Sequence, residues 1–408
     1  MAGTTDSPRL PRRIAHFDLD TFFVAVERLD DPSLIGKPVL VGHDGGRGVV
    51  ASASYESRRF GCHSAQPMAQ ALRLCPQAVV VRPHFDRYQA LSAAFHERLN
   101  EAAPVVESVG IDEAYADLTG LDVEGGGATG VARRFRERVH RELGLAVSVC
   151  IAGSRTTAKV GSDRAKPDGL LEVPVGGDAA FLAPLAIREL PMVGPRFADQ
   201  LAAVGVTTIG QAAALDGRWL ESRFGKSGAF LRDRARGIDP TPVHHGGRDA
   251  RSISREVTFG TDVTSLEELH AVLARHADRV ASDLRSADRR ARTVTLKLRW
   301  SDFTTLTRNR TVERAVRSAP ELAEIGRGLL ADVVAGQGLR PVRLIGLGVM
   351  NLVADVVQLS FDDADVRRSE AVDHALDAIR DRYGRRSIAR GARPDLERDA
   401  GPQPFGRA

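Results

Sequence analysis

The stretch HFDLDTFFVAVE, His16 to Glu27, sets two aspartates one residue apart, between an apolar run and a helix-like segment that carries two adjacent phenylalanines. An ionised carboxylate at the end of a buried strand, as Asp18 would be, is costly unless a cation meets it. Asp20 stands where an N-cap would accept hydrogen bonds from the first free amides of the next helix, and that is its plain reading. A second acidic site follows in GIDEAYADL, where Asp112 and Glu113 are neighbours. Regular pleating would send them to opposite faces; a bulge or bend beside Gly110 would bring both toward one site. A solvated strand end is the bland alternative for the pair. Hard oxygen donors from Asp18, Asp112 and Glu113 converging on one sheet would suit two Mg²⁺ ions that also bind substrate phosphates.

These residues need a sheet beneath them. Arg13 to Leu19 reads as a buried strand and Thr21 to Leu29 as a helix with Phe22, Phe23, Val26 and Leu29 on its apolar side. Phe85 to Ala102 is helical, Val105 to Leu118 a strand pair, Val131 to Leu143 an amphipathic helix and Ala146 to Ala152 a buried strand. RTTAKVGSDRAKPDGL supplies a helix and a loop ended by Pro167. Residues 12–175 are therefore α+β, and 176–243 short and helical. TPVHHGGRDARS reads as an exposed linker. Residues 252–350 run strand, helix, strand, strand, helix, strand, the ferredoxin-like split βαβ succession. In TVTLKLRW, Val294, Leu296, Leu298 and Trp300 share one face, and Thr293, Thr295, Lys297 and Arg299 the other. After about residue 355 the chain is acidic, then helical over Ala371 to Tyr383, then without apolar periodicity.

With 408 residues, several domains are expected. No apolar stretch is long enough to span a bilayer, and the N-terminus lacks a signal-peptide core, so a cytoplasmic protein is expected. Cys62, Cys75 and Cys150 form neither a disulfide framework nor a zinc pattern. The net charge is only +4, but its basic residues are clustered, which suggests a polyanionic partner.

HFDLDTFFVAVE, ASYESRRFG, VGIDEAYADLT and SDRAKPDGL occur in the order and at the spacing of the Y-family DNA polymerases, of the bacterial DNA polymerase IV type, and the chain resembles that family over residues 12–350. The resemblance implies an α+β multidomain right hand: a ferredoxin-like palm at 12–20 and 84–175, small fingers at 21–83, and a helical thumb with a helix-hairpin-helix at 176–243. A linker at 244–251, a C-terminal βαββαβ little finger at 252–355 and a partly disordered tail at 356–408 complete it. It implies template-directed, low-fidelity DNA synthesis at damaged templates, by a monomer working on primer-template DNA and deoxynucleoside triphosphates. No recognisable proofreading exonuclease remains outside the assigned domains. Asp18, Asp112 and Glu113 would be the catalytic carboxylates holding two Mg²⁺ ions, with the Leu19 carbonyl a further ligand. Phe23 would be the steric gate that excludes a 2′-hydroxyl; by itself it reads as core. Tyr55, Arg58 and Lys166 would meet the triphosphate, each reading as a surface residue without the resemblance. Gly110 stands where the family commonly has serine, and His63 and Gln66 where an Arg or Lys and a Met are expected.

For the DNA, the turn around Gly194 in ELPMVGPRFADQL resembles a helix-hairpin-helix that offers amides to a backbone phosphate. Arg289, Arg290, Lys297, Arg299 and Arg308 would track phosphates from an open sheet face; a solvated basic face is the alternative. Gln358, Leu359, Ser360 and Phe361 resemble a shortened sliding-clamp-binding peptide. Two competing readings are a non-catalytic Y-family-like adaptor, which would typically lose the carboxylates, and a nucleotide cyclase on a similar palm, which would need neither hairpin nor basic domain.

Overall fold

The computed structural model describes residues 10–121, 125–246, 250–354, 364–384 and 387–388. In chain order the elements begin with β1 (Ile14–Leu19), α1 (Phe22–Asp30), β2 (Val39–Gly42), β3 (Val50–Ala53), α2 (Tyr55–Arg58), α3 (Met68–Leu74) and β4 (Val79–Val81). There follow α4 (Phe85–Ala102), β5 (Val105–Ser108), β6 (Glu113–Asp117), α5 (Gly127–Leu143), β7 (Val147–Ala152), α6 (Arg155–Ala165) and β8 (Leu170–Glu172). A helical stretch comprises α7 (Asp178–Leu182), α8 (Pro195–Ala202), α9 (Ile209–Ala214), α10 (Gly217–Phe224) and α11 (Lys226–Ala235). The last elements are β9 (Ser252–Val263), α12 (Leu266–Ser286), β10 (Arg289–Trp300), β11 (Thr305–Val316), α13 (Ala319–Gln337), β12 (Val342–Ala354) and α14 (Ala364–Tyr383). The chain divides into two compact units, Met1–Gly36 with His84–Arg248, and Lys37–Pro83 with Asp249–Ala408. No helix among the described residues is long and apolar enough to cross a membrane.

In the first unit, a five-stranded sheet has the order β5-β6-β1-β7-β8. Strand β1 is buried throughout and antiparallel to both neighbours, β6 and β7. Such a strand reads as a continuous apolar run, which is what the sequence shows around Asp18. Helix α6 crosses β1 and β7 closely enough that a Cβ at Gly161 would lie 2.2 Å from Cys150 Sγ, so that glycine sets the helix-to-sheet distance. The stretch expected to be an exposed linker begins as a strap. Val243 is buried, the His244 amide donates to Glu107 Oε2 at 2.9 Å, and Gly246 N donates to the Val106 carbonyl. The helices α7 to α11 enclose a small core of their own, with Leu182, Leu201, Ile209 and Leu220 at its centre.

In the second unit, β2, β3 and β4 form a small sheet over a core of Leu40, Val50, Met68 and Ala71. The C-terminal antiparallel sheet has the order β11-β10-β12-β9. The element succession is as expected, but the second and fourth strands lie centrally here, whereas in the first unit β1 and β6, the first and third of their succession, are central. The ferredoxin-like pairing expected for residues 252–350 is therefore not adopted.

The pleat on β10 is the predicted one: Val294, Leu296, Leu298 and Trp300 are buried in the core with α12 and α13. The register corrects two placements. Arg308 pairs with Leu296 and Arg310 with Val294, and directly opposed residues share a face, so both arginines stand on the helix side of the sheet. Arg310 accordingly reaches Asp332 of α13 at 2.8 Å. Arg290 is buried and paired with Glu370 of α14 at 2.9 Å, so it too is off the open face. Lys297 and Arg299 keep the predicted side; Lys297 meets Glu256 at 2.7 Å and Arg299 Nε donates to Thr305 Oγ1 at 2.8 Å.

Helix α14 covers further arginines. Arg285 meets Asp373 at 3.2 Å and Asp377 at 2.7 Å, and Arg317 meets Glu370 at 3.1 Å. The fully buried Asp373 also accepts the Ala319 amide at the first turn of α13, capping that helix from another. The tail therefore contains a helix seven residues longer at its start than the sequence periodicity marked.

Candidate active site

The acidic residues meet through the register of the first sheet. Asp18 is opposite Glu113 and His16 opposite Tyr115, and His16 and Asp18 are two apart on β1, so His16, Asp18 and Glu113 share one face. Asp112 lies outside β6, in a bend over 110–112. Its carbonyl accepts the Leu19 amide at 2.9 Å, while the Val109 and Gly110 amides both turn to the Glu113 carbonyl. The bend that the sequence required is thus present. Helix α4 holds it from behind: His96 Nε2 donates to the Gly110 carbonyl at 3.0 Å, Ser108 donates to His96 Nδ1 at 3.0 Å, and Ser92 donates to the Ile111 carbonyl. A Cβ at Gly110 would sit 3.0 Å from Glu113 Cγ and 3.4 Å from Asp112 Oδ1, so this glycine lies against both side chains.

Asp20 is not the helix cap. Thr21 is the N-cap of α1, in a left-handed conformation and with no side-chain cap bond. Asp20 instead accepts from Ser148 Oγ at 2.9 Å and from the Asp168 amide, tying β7 and the loop after α6 to the end of β1. A cap needs extended backbone one residue before the helix; here the left-handed Thr21 takes that place.

Three side chains on α6 face the carboxylates at helical spacing. Arg155 pairs with Glu107, with Nη2 to Oε1 at 3.0 Å, and stacks 4.0 Å over Tyr115. Lys159 Nζ is 3.2 Å from Asp18 Oδ2 and 2.5 Å from Glu113 Oε2. Ser162 Oγ donates to the Lys159 carbonyl at 2.9 Å and lies 2.7 Å from His16 Nδ1. That hydroxyl has one proton, so His16 Nδ1–H is the donor to it. The other nitrogen, Nε2, is buried, has no hydrogen-bond partner among the described residues and lies 3.4 Å from Glu113 Oε2. Past the helix, Lys166 Nζ meets Asp18 Oδ1 at 2.8 Å and Asp163 at 3.0 Å.

The electrostatics differ sharply among the carboxylates. Burial, then the charges of Asp18 and Glu113, push Asp112 up to about 6. Burial also works to raise Glu113, but the charge of Lys159 and its hydrogen bond to the carboxylate outweigh it and hold Glu113 at about 2. Burial dominates at His16 and lowers it, so the imidazole is neutral near pH 7. Lys159 is desolvated, yet Asp18 and Glu113 raise it and keep it charged. Burial pushes the Cys150 thiol up to about 12, which leaves it without reactivity.

These residues fit a divalent cation. One donor atom each from His16, Asp18 and Glu113 lies within 4.8 Å of the others, and the orphaned His16 Nε2 adds an uncharged donor to the carboxylates.

Phe23 is nearly buried and stacks on Tyr88 at 4.1 Å between ring centroids, with Phe22 and Phe85 beside it. Tyr88 Oη donates to Glu27, whose other contact is His84 Nδ1 at 2.9 Å. Gly194 is the exposed N-cap of α8, with Pro195 following and no side-chain cap. Tyr55 and Arg58 belong to the second unit, where Arg58 lies 5.3 Å over the Tyr55 ring and its Nε donates to the Ala53 carbonyl. Gln358, Leu359 and Phe361 lie outside the described residues.

Comparison with known proteins identifies this arrangement. Residues 17–163 match the model of the impB/mucB/samB family, and residues 250–361 match its C-terminal domain. A DNA polymerase IV of Dehalococcoides mccartyi is 39% identical over 381 residues, covering 93% of this chain and 97% of that one. This chain belongs to the Y family of DNA polymerases. Within it, the polymerase is of the DNA polymerase IV type, a translesion enzyme. A DNA polymerase IV of Halorhodospira halophila is 43% identical over 84% of this chain and 95% of its own length. Among solved structures, a chimeric Y-family polymerase of Dbh and Dpo4 aligns with a TM-score of 0.74 at 24% identity, over 84% of this chain and 99% of that one. The structure of DinB from Sulfolobus solfataricus aligns with a TM-score of 0.58 at 25% identity, over the same shares.

Sequence reasoning missed several residues of this candidate site: His16, His96, Lys159 and Ser162. The signal for two of them was present. Arg155, Lys159 and Ser162 recur at helical spacing in RTTAKVGSDRA, among small residues, which marks a polar stripe facing a sheet.

Proposed function

We propose that this polymerase extends a primer 3′-hydroxyl with deoxynucleotides by a two-metal mechanism, with Asp18, Asp112 and Glu113 as the metal-holding carboxylates. The observation that carries this reading is the convergence of Asp18 and Glu113 on one sheet face, with Asp112 tied to the same strand end through the Leu19 amide. When bound, two Mg²⁺ ions would lower the pKa of the primer hydroxyl and stabilise charge on the leaving pyrophosphate. The chain's own residues do the rest. Glu113, held ionised at about 2, lies on the primer side. Lys166, Tyr55 and Arg58 hold the triphosphate, by charge, hydroxyl and guanidinium fork. Phe23, braced on Tyr88, fills the space a 2′-hydroxyl would need, so ribonucleotides are rejected by exclusion.

In this reading the first sheet is a ferredoxin-like palm at 12–20 and 84–175, with fingers at 21–83, a thumb at 176–243 that holds a phosphate at Gly194, and a little finger at 252–355. Lys297, Arg299 and Arg289 track the DNA backbone. The polymerase acts as a monomer in the cytoplasm, without proofreading, and meets the sliding clamp through Gln358, Leu359 and Phe361. A clamp pull-down unchanged by alanine at Gln358 and Phe361 removes that partner.

The test is primer extension by purified protein with Mg²⁺ and either dNTPs or rNTPs, beside Asp112→Ala and Phe23→Ala. Extension with dNTPs that Asp112→Ala abolishes, and ribonucleotide use that rises in Phe23→Ala, are the expected results. Binding of primed DNA without extension would favour the adaptor instead.

A further inference from the structure

Lys159 occupies the place where a cation bridging Asp18 and Glu113 would sit. Its ammonium nitrogen lies within 3.2 Å of Asp18 Oδ2 and 2.5 Å of Glu113 Oε2, while Lys166 takes the second Asp18 oxygen at 2.8 Å. A Mg²⁺ ion binds such oxygens at about 2.0–2.1 Å. It cannot take these two atoms while the ammonium stays between them, because the two cations would then be in near contact. The lysine is placed by structure, not by chance of a surface chain. Its backbone carbonyl is held by Ser162, whose hydroxyl is in turn held by the buried His16. It also has somewhere to go: Asp163, one helical turn on and half-exposed, lies 4.0 Å from Nζ.

We propose that Lys159 is an internal counter-ion which fills the carboxylate cluster in the metal-free enzyme and is displaced toward Asp163 when the metal enters. This rests on the reading of Asp18, Asp112 and Glu113 as metal-holding residues. The lysine neutralises the carboxylates between catalytic cycles and weakens metal binding in the absence of substrate. Occupancy of the site is thereby coupled to arrival of a triphosphate, which carries the negative charge needed to draw both the ion in and the ammonium away. Lys159 is a positioning residue in this scheme, acting through the carboxylates.

The test is Mn²⁺ binding to the full chain without DNA or nucleotide, read from the free-Mn²⁺ electron paramagnetic resonance signal. Melting temperatures in chelator are measured alongside. Wild type, Lys159→Met, Lys159→Gln, Asp163→Asn and Asp112→Ala are compared, with Lys226→Met, an exposed lysine on α11, as the control for net charge. Two cations competing for the same oxygens give a negative coupling, so removing one should tighten Mn²⁺ binding on the order of tenfold. Both Lys159 variants should show this while Lys226→Met does not, and both should melt lower than wild type in chelator but not when Mn²⁺ is saturating. Asp163→Asn, which removes the receiving carboxylate, should weaken Mn²⁺ binding. Unchanged or weaker Mn²⁺ binding in Lys159→Met and Lys159→Gln overturns the proposal. If wild type shows no Mn²⁺ binding that depends on Asp112, the metal-site reading falls and this inference with it. Binding that depends on Asp112 but ignores Lys159 sinks only the counter-ion.

Discussion

Asp112 should make the metal-free polymerase less stable, and Asp112→Asn should make it more stable. Burial and two neighbouring negative charges raise this carboxyl from 3.8 to about 6. Two pKa units correspond to about 3 kcal/mol, so the ionised carboxylate costs the folded unit roughly that much at neutral pH. The sign follows from proton linkage. The folded state binds more protons than the unfolded state between about pH 4 and 6, so stability falls as pH rises through that window. The advantage of the asparagine variant should be about 3 kcal/mol at pH 8, about half that at pH 5 and nearly gone at pH 4. For a unit of this size that is a rise of roughly 5–10 °C in melting temperature near pH 8. Thermal or urea unfolding in chelator, across pH 5 to 8, reads it directly. Saturating Mg²⁺ should shrink the gap, because a cation relieves the repulsion in the wild type. The variant should lose nearly all extension activity while gaining this stability. Equal stability at pH 8, or an advantage that grows as the solution is acidified, would refute the argument.

Other consequences can be checked in the same way. His96→Leu removes the donor to the Gly110 carbonyl; unfolding should cost about 1–2 kcal/mol less and extension should need more Mg²⁺, with circular dichroism unchanged. Arg290→Ala breaks a buried pair with Glu370, so it should destabilise by about 3–5 kcal/mol without altering how DNA affinity depends on salt. Lys297→Ala, on the open face, should do the reverse: little loss of stability, and a logarithmic salt slope shallower by about 1 in DNA-binding titrations. Ending the chain at residue 355 would leave Arg285, Arg290 and Arg317 without their α14 partners, so the truncated protein should melt lower and expose the start of α13 to hydrogen exchange.

Much of the architecture was legible because it rests on local pattern. The apolar run of β1, the alternation of β10 and the helices at 85–102 and 265–285 follow from periodicity alone. The pairing of Asp18 with Glu113 was legible only through motif resemblance, since no local pattern sets the register of strands so distant in the chain. What the sequence hid was what tertiary contact decides. Asp20 reads as a cap but became a clamp on β7, because Thr21 took the left-handed position. Arg290 and Arg308 read as phosphate contacts because a charge run carries no sign of its face; a pleat and an acidic helix from the tail settled it. The exchange of central strands in the C-terminal sheet is invisible in element order, which is the same for both arrangements.

The position of β1 also bears on how the chain survives its own synthesis. This strand is encoded before its neighbours, β6 and β7, which end only at Asp117 and Ala152. At ~5–20 residues per second, IAHFDL leaves the ribosome on the order of ten seconds before both partners exist. During that time an apolar strand has two open edges, the condition under which strands pair with the wrong chain. Lys159 is made later still, so the carboxylates have no counter-ion until α6 emerges. A chain broken off before then holds the acidic residues without the fold or the cation that makes them useful, and it copies nothing.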